Sequence, residues 1–378
     1  ARVSYSLSTT GETWVNDSCP AAGVPARRIK VVSTGSAAND AVVGSSAGDE
    51  QVIETIFNYT PEVLPGVHPS GAAMYVHGGI VFDNNGDLLV AESGRAAIQV
   101  KNGGMTCANN TVIQGDVVVE NGALDITACT IEGNAWASGI AKLGHITGNL
   151  SASNATRPAG VDGAYTRNGD IPDVPAWVDL AYVPGDWIDT NGLPYKVTPI
   201  GSDCALTPSM LASASNGTKP VIINALGCTG GVVAPSSVKL ANDVVVFSPR
   251  FNFTSHVTFS STSTAQHKLW FITPDNTPDN LPTCAATQGN FEMKNGFVIA
   301  PTIAAMLYTP CRFAAMNNFE WRGQLYANGA NDFKNNTWFE SVSLGLPGID
   351  LDTGVVTPGG AAGSPAELGT VIFTRDVN

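Results

Sequence analysis

Charge is scarce in this sequence. Only 13% of the 378 residues are charged, and 19 Lys and Arg residues are outnumbered by 32 Asp and Glu, giving a formal net charge of −13. This balance repels nucleic-acid phosphates and anionic membranes, because both require clusters of basic side chains. We therefore predict no nucleic-acid partner. The low charge is also atypical of a cytosolic enzyme of this length.

Long apolar runs are missing as well. No stretch of 18 apolar residues occurs, so no membrane span is predicted within the chain. Residues 1–6 alternate in the manner of a strand and do not resemble a signal peptide. We expect either that a targeting segment has been removed or that the sequence starts inside a longer protein.

Sequence motifs for catalysis and metal binding are absent too. The five histidines share no ligand spacing, no C-x-x-C pair occurs, and no P-loop or G-x-S-x-G stands between a strand and a helix. Residues 83–87 and 350–352 match a calcium loop only in part, which leaves calcium binding open, and the first stretch is interpreted as a hairpin turn. We predict no cofactor, no metal site and no catalytic residue.

Glycine, by contrast, is plentiful, with 40 residues, and short apolar segments alternate with turns rich in Gly, Asn and Ser. Three strands are predicted over residues 3–8, 27–33 and 51–59, with Val3, Tyr5 and Leu7 on one face of the first. They form an antiparallel β meander over residues 1–65 that is too small to be stable alone.

Two blocks, residues 66–160 and 219–360, are predicted to form a right-handed parallel β-helix, or solenoid, with coils near 20 residues. In the first block the fragment I-x-G-[DN] recurs at residues 113–116, 131–134 and 146–149. In the second, Phe291, Phe313 and Phe333 precede Asn-containing corners. Stacked coils explain both repeats, since Gly and Asn turn sharply and Phe rings fill the interior. The fold class is mainly β.

Residues 161–218 interrupt the repeats. This stretch is rich in proline and contains Trp177, Tyr182 and Trp187, so we expect a long loop that covers a side or an end of the solenoid. One short helix is predicted, with Thr207 as N-cap and Pro208 in the first turn. Residues 361–378 are predicted to be a C-terminal tail with a short strand at 370–374.

Six of the seven cysteines fall into consecutive pairs separated by 22, 24 and 27 residues. Because these separations are about one coil, we predict disulfides within each pair, and disulfides indicate an extracellular location. Buried free thiols in a cytosolic core are the alternative, and Cys19 is left over. The candidate residues are Cys107 with Cys129, Cys204 with Cys228, and Cys284 with Cys311.

The order of these segments resembles a known family. The strands "RRIKVVSTGSA" and "QVIETIFNY" precede "IQGDVVVENGALDITACTIEGNAWASG", "LANDVVVF", "HKLWFITPD" and "PCRFAAMNNFEWRGQLY". This succession is similar to that of pilin-like (minor pilin) surface proteins of Gram-positive bacteria, whose exported region carries a bactofilin-like β-solenoid. Family members begin with a prepilin signal and a long hydrophobic helix, so we expect an apolar segment of about 20 residues upstream of Ala1.

The resemblance implies a non-catalytic protein of the cell surface or of a type IV pilus. Such a protein presents a rigid solenoid for adhesion or filament assembly, outside the cell, with pilus or other surface proteins as partners. Surface glycans are a further candidate partner. The family provides no catalytic residues.

An extracellular polysaccharide-active β-helix enzyme, a lyase or hydrolase, is the alternative. Such enzymes gather carboxylates and basic residues on adjacent coils. Asp116, Asp125 and Glu132 lie on the first repeats without a basic neighbour within a coil, and solvated surface positions are the preferred interpretation of all these charges. A second candidate cluster of charged residues consists of Glu292, Arg312, Glu320 and Arg322. The aromatic residues that could stack on sugars are Trp136, Trp321 and Trp338.

Overall fold

The computed structural model describes residues 1–7, 13–19, 26–36, 50–60, 66–83, 88–92, 94–108, 110–211, 219–315, 317–334, 336–357 and 367–377. These residues form thirty β-strands, one α-helical turn at Pro208–Leu211 and one 3-10 turn at Pro184–Asp186. The prediction of a mainly β chain is confirmed. In this part of the chain no helix is long and apolar enough to cross a membrane.

The strands are numbered in chain order. The first fifteen are β1 (Arg2–Ser6), β2 (Arg28–Ser36), β3 (Glu50–Thr60), β4 (Met74–Val76), β5 (Ile80–Phe82), β6 (Leu88–Val90), β7 (Ile98–Asn102), β8 (Met105–Cys107), β9 (Val112–Gln114), β10 (Val117–Asn121), β11 (Leu124–Glu132), β12 (Ala135–Ala137), β13 (Ala141–Ile146), β14 (Leu150–Ala152) and β15 (Tyr165–Arg167). The others are β16 (Lys196–Pro199), β17 (Val221–Asn224), β18 (Ser237–Leu240), β19 (Val244–Phe247), β20 (Phe251–Phe253), β21 (Val257–Ser261), β22 (His267–Ile272), β23 (Phe291–Met293), β24 (Phe297–Ile299), β25 (Ile303–Ala315), β26 (Phe319–Phe333), β27 (Thr337–Ser341), β28 (Ile349–Asp350), β29 (Val355–Val356) and β30 (Glu367–Asp376).

Two compact units divide these strands: the first contains β1–β3 and β30, and the second contains β4–β29. The first unit is an antiparallel sheet in the order β1-β2-β3-β30. The predicted antiparallel meander is therefore present. It has a fourth strand from the C-terminal end of the chain, where the sequence predicts a tail with a shorter strand.

Val3, Tyr5 and Leu7 share one face, as the alternation predicts, but the opposite face of β1 is the buried one. Ser4 and Ser6 are buried, whereas Leu7 is 56% exposed and Val3 and Tyr5 are only partly covered. Alternation alone identifies the two faces of a strand but not which face is buried, because that depends on the strand's neighbours.

The second unit is built from turns of chain that stack on one another, here called coils. Each complete coil contributes a strand to each of three parallel ladders. Ladder A contains β16, β17, β19, β22, the start of β25, the middle of β26, β4, β7, β10, β12, β14 and β15. Ladder B contains β20, β23, the end of β25, the end of β26, β5, β8 and the starts of β11 and β13. Ladder C contains β18, β21, β24, the start of β26, β27, β6, β9 and the ends of β11 and β13.

The coils do not stack in the order of the sequence. The last coil of the second block pairs with the first coil of the first block, with Leu325 opposite Met74 and Trp338 opposite Leu88. Ladder A therefore runs from β16 to β26 and continues directly into β4. The parallel repeats predicted for the two blocks are confirmed, and the structure joins the two blocks into one stack. The right-handed winding of the coils stays a prediction.

Apolar side chains fill the interior of the coils, as the repeats predict. Phe291, Phe313 and Phe333 are buried, with ring centroids 6.0 Å apart for the first two and 5.3 Å for the last two. Phe333 also stacks on Phe82 at 4.8 Å, across the joint between the two blocks. Each of these rings buries a large apolar area, which stabilises the coils that carry them by about 2 kcal/mol or more per ring.

Residues 168–189, here called the return segment, lie on the outer side of ladder A. Trp177 and Trp187 are buried there, against outward side chains such as Tyr308 and Trp270. The predicted loop that covers a side of the coils is thus present. By contrast, β5 and β6 pair in parallel with other coils, so the predicted hairpin between them is wrong, and its turn lies outside the described residues.

Candidate functional site

The repeated fragment I-x-G-[DN] forms the corner between ladder C and ladder A on successive coils. Asp116 Oδ1 accepts a hydrogen bond from the backbone N–H of Asn134 at 2.7 Å, and Asn134 Oδ1 accepts one from Asn149 at 2.9 Å. Asn149 Oδ1 in turn accepts from the N–H of Ala164 at 2.8 Å. Each corner therefore supplies an acceptor to the next coil, which satisfies backbone donors that no ladder pairs.

The glycine of the fragment is required by the closeness of the corners. A Cβ atom on Gly133 would lie 2.5 Å from the carbonyl oxygen of Gly115, and one on Gly148 would lie 2.4 Å from that of Gly133. Gly115 itself has a φ of 132°, a conformation that other residues rarely adopt. The repeat is thus a device for stacking backbone on backbone.

A groove of about 510 Å³ lies beside these corners and is here named the corner groove. It is bordered by the corners of three coils, by the outer side of ladder A and by Pro172 of the return segment. Because neighbouring strands lie about 4.8 Å apart, three coils give it a length of about 10 Å. Its main polar and aromatic side chains are Glu92, Arg95, Gln99, Gln114, Glu132 and Trp136.

Arg95 is held by protein groups. Its guanidinium donates to the Asp352 carboxylate at 2.9 and 3.2 Å and to the carbonyl oxygens of Gly71 and Pro69, each at 3.3 Å. Its Nε also lies 3.7 Å from a carboxylate oxygen of Glu92. The positive charge of Arg95 is therefore compensated within the protein, and an added anion would gain little from it.

Carboxylates and amides line the rest of the groove. Gln114 Nε2 donates to Glu132 Oε2 at 3.0 Å on the next coil, and this pair is exposed to solvent. Asp116 contributes a third carboxylate to the lining, besides Glu92 and Glu132. With three carboxylates and one compensated cation, the groove carries a net negative charge.

Gln99 and Trp136 come from one row of outward side chains on ladder A. Tyr75, Gln99, Val118 and Trp136 stand opposite one another on four successive coils. Trp136 is half-buried. The side-chain oxygen of Gln99 is shielded from water and has no hydrogen-bond partner among the described residues. The groove thus combines an accessible aromatic ring with an unsatisfied acceptor.

The structure separates the first carboxylate cluster considered from sequence. Asp116 and Glu132 both line the corner groove, but Asp125 lies on ladder B. The sequence prediction concerned basic neighbours within a coil, and the structure adds neighbours from other coils: Lys142 Nζ lies 3.2 Å from Asp125 on the next coil, and Arg95 lines the groove. Parallel register, rather than proximity in sequence, brings Lys142 to Asp125.

The second cluster is divided between ladders. Glu292 lies on ladder B beside Lys294, at 3.7 Å, whereas Arg322 lies on ladder C and pairs with Glu340 at 3.3 Å. Glu320 is exposed on ladder C, and Arg312 lies at ladder B opposite Gly329. The Glu292–Lys294 pair is exposed, the kind that contributes little to stability, whereas the Arg322 side chain is mostly buried and its pair joins neighbouring coils.

The three tryptophans considered for sugar stacking have different surroundings. Trp321 is fully buried in the core, and Trp338 is 37% exposed on ladder C, opposite Leu88. Trp136 alone among the three lines the corner groove. The sequence could have indicated this position, because Trp136 lies two residues after the corner Asn134, where the side chain of ladder A points outward.

Three disulfides join the cysteines in the pairs that the sequence spacing predicts. The bonds are Cys107–Cys129, Cys204–Cys228 and Cys284–Cys311, and Cys19 is exposed. Cys107 ends the ladder-B strand of one coil and Cys129 lies within β11 of the next coil. Each bridge therefore ties together neighbouring coils.

The histidines do not form a metal site in the described part of the chain, where no group of three or more His, Cys, Asp or Glu converges. His145 lies 3.0 Å from Asp162, and His267 lies 3.8 Å from Asp243. Burial raises the pKa of the Asp243 carboxyl, while its hydrogen bond from the Lys268 N–H acts in the opposite direction.

The structure also contains a tyrosine row that the sequence does not reveal. Tyr308, Tyr326 and Tyr75 lie opposite one another on successive coils, and burial raises the pKa of each phenol well above its usual value. Their spacing in the sequence is irregular, because the coils that carry Tyr326 and Tyr75 are 251 residues apart in the chain. Only the stacking order brings them together.

Comparisons with known proteins return little. No family model and no curated protein matches the chain. Among solved structures, the competence-associated pilin ComZ from Thermus thermophilus matches with a TM-score of 0.27 and 13% identity, over 93% of this chain and 82% of that chain. At this level the likeness carries no argument about this chain, and the functional inference rests on the residues themselves.

Proposed function

We propose that this protein is an exported, non-catalytic structural protein of the cell surface, associated with a pilus. In this role the coils form a right-handed, bactofilin-like solenoid that presents its outer surfaces for adhesion or for filament assembly. Its partners are pilus or other surface proteins, and it works outside the cell. The segment order, which resembles that of pilin-like surface proteins, gives the proposal its biological setting.

The observation that carries a structural role is the unbroken parallel ladder A, which joins both blocks of the sequence. Because β26 continues into β4, the unit forms one continuous scaffold. The return segment reinforces it from outside: Tyr308 Oη donates to the carbonyl of Val178 at 2.8 Å and accepts from the N–H of Leu180 at 3.1 Å. The second unit is thus devoted to one continuous stack of coils, as expected of a protein whose task is presentation.

Disulfides between coils fit an extracellular scaffold. Such bonds persist in oxidising compartments and are rare in the cytosol. They restrain the coils against unfolding. We therefore expect the native protein to carry the three bonds in the secreted or surface fraction of its host.

A polysaccharide panel tests the non-catalytic assignment. The purified chain is incubated with pectin, alginate, chitosan and peptidoglycan, and new reducing ends or unsaturated products are measured. We expect no turnover above the protein-free control. Turnover that is lost in Glu320→Gln or Glu132→Gln, in variants that keep the wild-type circular dichroism, would establish the alternative of a polysaccharide-active enzyme.

A further inference from the structure

We infer that the corner groove binds an uncharged oligosaccharide segment, and that this is the contact through which the protein adheres. The inference deepens the proposed function, since it rests on an adhesive role and names the ligand class. It concerns a site that lies wholly on the coils carrying β6 to β12 and on Pro172.

The aromatic component of the groove is Trp136. Sugars have apolar faces of C–H groups, and an indole ring offers a large flat surface for them. Trp136 is half-buried, so its ring is fixed by packing against the outer side of ladder A while part of it faces solvent. A ring held in this way binds a flat ligand at a small cost in conformational entropy.

The polar components match sugar hydroxyls. Hydroxyl groups both donate and accept, and the groove offers carboxylate acceptors at Glu132 and Glu92 and amide groups at Gln114 and Gln99. The Gln99 side-chain oxygen lacks a partner among the described residues. A buried acceptor without a partner costs free energy, which a hydroxyl recovers when the amide turns toward it.

The charge of the groove selects against acidic glycans. Three carboxylates line it, and the nearby guanidinium of Arg95 is already bound to Asp352 and to two backbone carbonyls. Glu92 lies beside Arg95, but Asp116 and Glu132 have no cation beside them among the described residues. A uronate or sulfate would meet their negative charge, and the chain as a whole carries −13. An uncharged sugar meets no such repulsion.

The length of the groove fits an oligosaccharide better than a single sugar. It crosses three coils and spans about 10 Å, with polar side chains repeated at each coil. Gln114 and Glu132 occupy the same position in successive repeats. Repeated contacts of this kind suit a ligand made of repeated units, such as an oligosaccharide.

The test is isothermal titration calorimetry of the full chain with three uncharged hexasaccharides, namely cellohexaose, maltohexaose and N-acetylated chitohexaose. Hexagalacturonate serves as the acidic comparison. We expect at least one uncharged hexamer to bind at one site, and hexagalacturonate to bind at least about tenfold more weakly. Trp136→Ala should weaken binding about tenfold, and Gln99→Leu, which keeps side-chain volume, severalfold.

Trp338→Ala is the matched control, since Trp338 is partly exposed on ladder C and outside the groove. It should leave the affinity unchanged, and all variants must keep the wild-type circular dichroism. Failure of all three uncharged hexamers to bind overturns the inference, as does equal binding by wild type, Trp136→Ala and Gln99→Leu. Either result leaves the proposed surface role standing, because that role is measured separately by the location of the protein on its host.

Discussion

The rings of Tyr75 and Tyr326 stack with centroids 4.2 Å apart and planes 8° from parallel. Tyr326 belongs to the last coil of the second block and Tyr75 to the first coil of the first block, so this stack marks the joint between them. Trp177 of the return segment covers both rings, at 4.7 and 6.2 Å. The joint is thus sealed by residues from three distant parts of the chain.

Removal of one phenol hydroxyl should loosen the return segment. Tyr308→Phe deletes a donor to Val178 and an acceptor for Leu180, and leaves two buried backbone groups without these partners. We expect a loss of about 2–3 kcal/mol in the free energy of unfolding, measured by urea denaturation. Tyr59→Phe, on the antiparallel sheet, is the control and should cost less than about 0.5 kcal/mol. Equal effects of the two variants would contradict the role given to Tyr308.

Alkaline pH should destabilise the coils through the same row. Burial raises the folded-state pKa of Tyr75, Tyr308 and Tyr326 above the unfolded value of about 10. Their contribution to stability is therefore complete below that value and is lost as pH rises toward the folded pKa values. We expect the free energy of unfolding to fall above about pH 10, less steeply in Tyr308→Phe. Ordinary titration of all eight tyrosines in the folded protein, followed by tyrosinate absorbance, would refute this.

A methyl group at a stacked corner should be poorly tolerated. A Cβ atom on Gly122 would lie 1.7 Å from the carbonyl oxygen of Gly103 on the neighbouring coil. We expect Gly122→Ala to cost about 3 kcal/mol or more, because backbone must move to admit it. Gly185→Ala is the matched control, since no atom lies within 4 Å of its added Cβ. Thermal unfolding of both variants decides the matter, and a stable Gly122→Ala would contradict the stacking described.

Loss of one disulfide should lower the stability of the coils, because the unfolded chain regains the conformational entropy that the bridge removes. For Cys107 and Cys129, 22 residues apart, replacement of both by Ser should lower the free energy of unfolding by about 3 kcal/mol. Peptide mapping of the untreated protein should recover this bridge, and the variant should melt earlier. Reactive thiols at these positions in protein isolated from its host would contradict both the bridge and the extracellular assignment.

Much of the coil architecture can be predicted from local pattern. The I-x-G-[DN] fragment indicates stacked corners because its Gly allows close approach of the next coil and its Asp or Asn accepts a hydrogen bond from that coil. Gly115, Asp116 and Asn134 show both roles. The Phe repeat likewise predicts which side chains fill the interior of the coils, where the rings of Phe291 and Phe313 stack. Cysteine spacing indicates the bridges for the same reason, since one coil separates the partners.

The order of the coils and the corner groove could not be predicted in the same way. Pairing of Leu325 with Met74 is a contact across 251 residues, which no local period encodes. The groove depends on Arg95 meeting Asp352 and on Pro172 reaching the coils, both of which follow from tertiary structure. The buried face of β1 could not be predicted for a related reason, because burial of Ser4 and Ser6 is set by neighbours and not by alternation.

The location of the protein on its host tests the proposed surface role directly. Intact cells and sheared surface filaments are labelled with gold-conjugated antibody against the purified chain, and a deletion strain provides the background. We expect gold on the cell surface and along or at the tips of filaments, with the three disulfides present in the sheared fraction. Label confined to the cytosol, in a form whose cysteines are reduced, would contradict it.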